Sequence, residues 1–291
     1  MYGGEGIRIG FGTICIEIQC SDRELLEKWR TDYRPFLVSQ QPDFHIEFTL
    51  GNRLTASRIK SRLRTSYSYV EGDRFFTRPR LLEQHVDWKT ATLHVETEKE
   101  LFAPDVDYKL MNSLIRGIYW GIYTRVKNMS PEAYLVHGCG IVDGSRCYLF
   151  TGPSGSGKTT VAGLSEGRKV LNDEAVLIGR NKTGFYLTGT PFTGGIPDRC
   201  SDTAPLSSVF FLRHSREVTL RRLSEVETYR GFLTQFFDTS PLHEAAGIDS
   251  LQERANISAE VARAVPSYEL GFLPSRSFWD AVESIDTEGV R

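Results

Sequence analysis

Gly152-Pro153-Ser154-Gly155-Ser156-Gly157-Lys158-Thr159-Thr160 follows the apolar run Cys147-Tyr148-Leu149-Phe150-Thr151 without a break. The nine residues fill every fixed position of G-x-x-x-x-G-K-[ST], the phosphate-binding loop. Glycines let successive backbone N–H groups turn inward onto a phosphate chain. Lys158 supplies a point charge to the β and γ phosphates, and the Thr159 hydroxyl is placed to ligate Mg²⁺. The helix that starts near Lys158 adds the positive end of its dipole. Strand, glycine-rich loop and helix in that order predict an α/β unit.

Outward from the loop the pattern stays mixed. Upstream, Tyr134 to Val142 is strand-like, with a turn at Asp143-Gly144 before the run that enters the loop. Downstream, a helix is expected over about 158–165, then a buried strand at Lys169 to Leu171 that ends in Asn172-Asp173-Glu174. Ala175 to Ile178 and Gly184 to Thr188 read as strands around an Asn181-Lys182 turn, and Ser207 to Leu212 is a further apolar strand. The remainder predicts helices at about 223–236 and 248–263, a strand at 266–271 and a last helix near 276–284.

Two acids and a histidine frame the loop. Asp173 and Glu174 end a strand, a position that in phosphate-loop proteins faces the metal and the γ phosphate. One carboxylate can bind Mg²⁺, directly or through water, and the other can accept a proton from an attacking hydroxyl. His137 lies in Tyr134-Leu135-Val136-His137-Gly138-Cys139-Gly140, where a lone histidine is ordinarily a satisfied core residue. The remaining five histidines lack such a context and read as surface or packing residues. Gly189-Thr190-Pro191-Phe192-Thr193-Gly194-Gly195 reads either as a plain connection or as a mobile loop over the site. Arg199, just beyond it, reads as a surface ion-pair residue or as a cation for phosphate charge.

The first part of the chain is organised separately. Residues 7–18 alternate well enough for a strand pair with a Gly turn. Ser21-Asp22 open a short helix through Trp29, with Ser21 as the expected N-cap. Phe44 to Leu50 is a strand candidate, and residues 67–97 hold three strand-like runs, together an antiparallel sheet of modest size. Over 107–127 Leu110, Leu114, Ile118, Ile122 and Val126 recur every four positions, a helical core stripe that Asn128 to Pro131 terminate. A boundary near residue 128 follows.

Bulk properties narrow the field. With 35 Lys+Arg against 37 Asp+Glu, the net charge of −2 gives no global attraction to nucleic acid or to an anionic membrane. No run of ~18 apolar residues suggests a membrane span. The first residues, Met1-Tyr2-Gly3-Gly4-Glu5-Gly6, lack the basic-then-apolar layout of a signal peptide. The five cysteines are odd in number and show no metal-site spacing. Cys139 and Cys147 read as buried thiols, with a disulfide across their hairpin as the alternative, and a reducing cytoplasm is the expected compartment.

The order His137, then the loop ending Lys158-Thr159, then Asp173-Glu174 resembles the catalytic domain of bacterial HPr kinase/phosphorylase, which is similar to the nucleotide site of phosphoenolpyruvate carboxykinase. The pattern appears as Val136-His137-Gly138, Gly152 to Thr160, and Val170-Leu171-Asn172-Asp173-Glu174. Gly189-Thr190-Pro191-Phe192, with Ala204-Pro205-Leu206 and Val209-Phe210-Phe211-Leu212, looks like the HPr-kinase-related proteins found beside peptide-modification genes, those of lasso-peptide clusters among them. The likeness covers residues 105–285.

The resemblance implies an α/β P-loop catalytic domain of HPr-kinase/PEP-carboxykinase type over 129–291, with a smaller N-terminal mixed α+β domain over 1–128. It implies ATP and Mg²⁺ as cofactors and a protein or peptide substrate with an acceptor serine. Residues Gly152, Pro153, Ser154, Gly155, Ser156, Gly157, Lys158, Thr159 and Thr160 would bind the nucleotide. Asp173 would be the general base, His137 its support, Lys158 the phosphate cation, and Thr159 and Glu174 the metal ligands. It also implies a homo-oligomer. The second acid is Glu174 where the enzyme proper has Asp, and the Gly-Leu-Gly-Ile-x-Asn-Val signature is missing, so HPr itself and the reverse phosphorylase reaction are not implied. Two other classes stay open: a non-catalytic nucleotide-binding accessory protein of a peptide-modification system, and a small-molecule kinase or carboxykinase-like enzyme.

Overall fold

A computed structural model describes residues 6–51, 67–71, 74–78, 83–98, 104–237 and 250–288. It is a mixed α/β protein with two sheets. The described residues divide between Pro131 and Glu132 into two compact units, the second comprising Glu132–Phe237 and the chain from residue 250 onward. No described helix is long and apolar enough to cross a membrane.

In the first unit β1 (Gly6–Phe11) and β2 (Ile14–Cys20) pair antiparallel around Gly12-Thr13. Helix α1 (Arg23–Asp32) follows, and β3 (Phe44–Gly51) then pairs parallel with β2. The cap of α1 is Asp22 rather than Ser21: Asp22 Oδ1 accepts the Leu25 N–H at 3.0 Å. Strands β4 (Tyr67–Glu71), β5 (Arg74–Arg78), β6 (Glu83–Asp87) and β7 (Thr92–Glu98) form an antiparallel meander, and β7 joins β3 in parallel. The result is a five-strand mixed sheet, β1-β2-β3-β7-β6, extended by β5 and β4. The antiparallel sheet expected from residues 67–97 is thus only part of it. Parallel neighbours need a long crossover, and α1 supplies the one between β2 and β3.

Helix α2 (Pro104–Gly121) ends in a π-helical turn, Ile122–Val126. Its large buried residues are Met111, Leu114, Ile115, Ile118, Tyr119, Trp120, Ile122 and Tyr123. The apolar face is therefore broader than the expected four-residue stripe and offset from it: Leu110 and Val126 are only half-buried. The ring of Tyr119 stacks on Phe11 at 5.9 Å, and the hydroxyls of Tyr123 and Thr13 share a 2.8 Å hydrogen bond, so α2 belongs to the first unit.

The second unit begins with β8 (Ala133–Asp143) and β9 (Arg146–Thr151). The glycine-rich loop leads from β9 to the short helix α3 (Lys158–Gly163). Then come β10 (Lys169–Asn172), β11 (Ala175–Asn181), β12 (Gly184–Gly189) and the long β13 (Thr203–His214). Strand β14 (Thr219–Arg222), helices α4 (Glu225–Leu233) and α5 (Ser250–Ala264), strand β15 (Ser267–Phe272) and helix α6 (Phe278–Glu288) complete it. The eight-strand sheet runs β10-β8-β11-β12-β13-β15-β14, with β9 pairing both β8 and β13. β14 is a strand the sequence pattern does not announce. It lies at the sheet edge, and Thr219-Leu220-Arg221-Arg222 has no apolar alternation.

β9, β13 and β15 are mutually parallel, and both faces of this centre are covered. Cys147 and Leu149 pack with Phe232 of α4 and Ile257 and Val261 of α5. Tyr148 and Phe150 point the other way, against Val161 of α3 and Phe278, Trp279 and Val282 of α6. Burial on both sides explains why the run into the loop is apolar throughout. All five cysteines are free thiols. In the β8–β9 register Cys139 faces Phe150 and Cys147 faces Val142, so no disulfide spans the hairpin.

Candidate functional site

The loop after β9 is held by backbone features that its glycines permit. Gly157 has φ +106°, and a Cβ there would lie 2.6 Å from the Phe272 ring. Only glycine fits both the conformation and the space. The Lys158 side chain, 6 % exposed, folds back and donates to the carbonyls of Gly152 (2.9 Å) and Pro153 (3.1 Å). Burial pulls its pKa below the ordinary lysine value, while Glu174, Cys139 and Asp173 act in the opposite sense.

Asp173 follows β10 directly and is 3 % exposed. Its Oδ2 accepts two hydrogen bonds, from the Thr159 hydroxyl at 2.7 Å and from the Gly195 N–H at 3.0 Å. The run Gly189–Gly195 is therefore tied to Asp173, and Gly195 lies close to Thr159 as well. A Cβ at Gly194 would sit 1.9 Å from Asp173 Oδ1, so this close approach demands glycine. Arg199 ties the same run back on itself, its Nη1 donating to Thr193 Oγ1 at 3.0 Å.

His137 and Glu174 are brought together by strand register. β8 pairs with β11 so that His137 faces Ala175, which sets Glu174 beside the histidine, and the Gly138 N–H donates to the Glu174 carbonyl at 3.2 Å. His137 Nε2 lies 3.8 Å from Glu174 Oε2, both side chains being partly exposed. The backbone of His137 is fixed as well: its N–H donates to the Gln235 carbonyl at 2.7 Å, and the Thr151 hydroxyl lies 2.7 Å from its carbonyl oxygen. His137, Asp173, Glu174, Ser154, Gly155 and Gly157 to Thr160 line one open cavity of about 230 Å³. The sequence-derived candidates Gly152, Pro153 and Ser156 belong to the loop without lining that cavity.

Three contributors were invisible in the motif. Asn172, buried at 1 %, makes four hydrogen bonds. Its Oδ1 accepts the N–H groups of Glu174 (2.7 Å) and Ala175 (3.0 Å), and its Nδ2 donates to the carbonyls of Thr190 (3.0 Å) and Phe192 (2.6 Å). It thus locks the acidic pair to the glycine run. Thr190, fully buried, donates its hydroxyl to the Ala175 carbonyl at 2.6 Å. His214, read as an ordinary surface or packing histidine, has Nε2 at 2.8 Å from the Gly155 carbonyl and braces the loop from outside. A strand-ending Asn before two acids was the available signal for Asn172; nothing local marks His214.

A divalent cation fits here by the chemistry of the donors alone. Thr159 Oγ1 and Asp173 Oδ2, joined by their own 2.7 Å hydrogen bond, are a hydroxyl and a carboxylate oxygen of the kind that Mg²⁺ takes. Among the described residues no three His, Cys, Asp or Glu side chains form a metal cage, so phosphate oxygens and water would complete the shell. No protein-family model matches the chain, and no curated protein is significantly similar to it.

Proposed function

We propose that the chain is an ATP-dependent phosphotransferase of HPr-kinase type, its second unit a catalytic domain of the HPr-kinase/PEP-carboxykinase kind, acting on a serine hydroxyl of a protein or peptide. The observation that carries this is one cavity lined both by the loop residues Lys158 and Thr159 and by Asp173, Glu174 and His137. Phosphate and a hydroxyl in need of a base are the pair of groups such a cavity suits. Its volume, about 230 Å³, lies below the roughly 300–1,000 Å³ of pockets that enclose drug-sized ligands, which suits a triphosphate tail with the nucleoside outside. The serine of a protein or peptide comes from the resemblance of the ordered motifs.

Lys158 would leave the Gly152 and Pro153 carbonyls to meet the β and γ phosphates, and the loop amides would hold the charge on the transferred group. Thr159 and one carboxylate would hold Mg²⁺, which when bound neutralises charge across the β and γ oxygens. The other carboxylate would take the hydroxyl proton. The test is incubation with γ-labelled ATP, Mg²⁺ and a panel of serine peptides, with Lys158→Met as the control. Label on peptide, or slow release as phosphate, is the expected outcome. ATP bound with neither transfer nor hydrolysis would replace this function with that of a nucleotide-binding accessory module.

A further inference from the structure

Resting on the nucleotide site read above, we propose that His214, the last residue of β13, is a positioning residue for the phosphate chain. It holds the Gly155 peptide turned out of the cavity, and it keeps the loop tied down once Lys158 swings to a phosphate. The Gly155 oxygen can only accept, so the 2.8 Å contact places the proton on His214 Nε2. Gly155 lines the cavity and His214 does not, so the carbonyl that His214 holds faces away from the phosphate site. The same peptide unit is pinned at its other end, where the Ser156 N–H donates to the Pro153 carbonyl at 3.1 Å. Gly155 sits at φ +80° with open space where a Cβ would be, so packing does not restrain it. Without the imidazole this peptide is free to turn its carbonyl towards the cavity, where an oxygen dipole repels phosphate.

The other ties of the loop are conditional. Lys158 Nζ holds the carbonyls of Gly152 and Pro153 at 2.9 and 3.1 Å, and both bonds break when the ammonium moves to a ligand. Among the described residues, His214 is then the one hydrogen-bonding partner of residues 153–156 from outside the loop and α3. Its footing is rigid. β13 pairs with β9, the strand that feeds the loop, through Phe211 and Thr151, and with β15 through His214 and Phe272. The Ser215 N–H donates to the Phe272 carbonyl at 3.2 Å, and the Phe272 ring is the one a Cβ on Gly157 would strike. Two neighbouring strand ends thus support the loop, one at Gly155 and one at Gly157.

The experiment compares the full chain with His214→Phe, which keeps a ring and removes the donor, and with His214→Gln, whose amide nitrogen replaces Nε2. Calorimetry measures binding of Mg²⁺–ATP and of inorganic tripolyphosphate. His214→Phe should weaken both by about 2- to 10-fold, the net contribution of one hydrogen bond, and His214→Gln should restore most of the affinity. The side chain is exposed, so the ligand-free melting temperature should barely move. A second readout needs no nucleotide. Exchange of the Ser156 amide, followed by NMR, should quicken more on His214→Phe in a Lys158→Met background, which already lacks the lysine's two bonds, than in the parent. Equal affinity in His214→Phe and the parent overturns the proposal and leaves nucleotide binding standing. A loss seen with ATP but not with tripolyphosphate also overturns it, because His214 would then act on the nucleoside. A parent that binds neither ligand removes the nucleotide reading and the proposal with it, whatever the exchange rates show.

Discussion

Replacing Asn172 tests whether the acidic pair and the glycine run are held by one buried amide. Asn172→Leu keeps the bulk and removes all four hydrogen bonds. The carbonyls of Thr190 and Phe192 and the N–H of Ala175 then lose their partner inside the fold, where those residues are almost fully buried. At about 1–3 kcal/mol for each of these three buried groups, the expected loss is about 3–9 kcal/mol. That is a large share of a typical stability of about 5–15 kcal/mol. Asn172→Asp is the sharper variant. It keeps both acceptor contacts but sets a carboxylate against two carbonyl oxygens that the amide met at 2.6 and 3.0 Å. The folded-state pKa of the introduced carboxyl is thereby raised above its unfolded value of about 3.9. A raised pKa means that its stabilising share is present in full below the unfolded value and is lost as pH rises through the folded one. Urea unfolding, followed by circular dichroism and tryptophan fluorescence from pH 4.5 to 8, should show the deficit of Asn172→Asp widening with pH. Asn172→Leu should show a deficit independent of pH. An Asn172→Asp curve parallel to the parent across that range, or an Asn172→Leu variant within about 1 kcal/mol of it, would refute the clamp.

Other outcomes follow from the same geometry. Gly157→Ala forces a side chain into φ +106° and against the Phe272 ring, which is itself packed on Phe278; a loss of about 3 kcal/mol and of nucleotide binding is expected, measured by thermal unfolding with and without ATP. Lys158→Met should abolish ATP binding. The depressed pKa of Lys158 means that its stability share is complete above the ordinary value of 10.5 and falls as pH drops through the folded value, so the melting temperature of the ligand-free variant relative to the parent should rise as pH falls from the ordinary value towards 7, on top of a pH-independent loss of the bonds to the Gly152 and Pro153 carbonyls. Burial pushes the Cys147 thiol up to about 12 and the Cys139 thiol well above its ordinary value, so a thiol reagent at pH 8 should label neither in the folded protein, and all five cysteines in denaturant. Rapid labelling of Cys139 or Cys147 in the native state would contradict the buried hairpin.

Much of the second unit was legible in the chain. Strands covered on both faces write themselves as largely apolar runs, as in Cys147–Thr151 and Val209–Leu212, and glycines with forced conformations mark the loop between β9 and α3. The helix starts were less secure. Asp22 and Ser21 are both capable caps, and α4 begins at Glu225 because Ser224 and Glu227 form a reciprocal capping box, inside a stretch that helical periodicity alone extends from 223. The mixed character of the first sheet was not legible either, since parallel pairing of β2 with β3 and of β3 with β7 joins residues far apart in sequence.

What the sequence determined by itself is local: which segments are strands or helices, where the chain must turn, and that a lysine and a threonine follow a loop able to cradle phosphate. What only the tertiary structure decided is which groups meet. The partner of His137 depends on the register of β8 against β11, and that register sets Glu174, not a residue near His137 in the chain, beside its ring. The contact of Gly195 with Asp173, the four bonds of Asn172 and the brace from His214 to Gly155 arise in the same way. Each joins loops whose ends are placed by strand pairing, and hydrogen-bond register across a sheet is a property of the folded chain that no short window of residues contains.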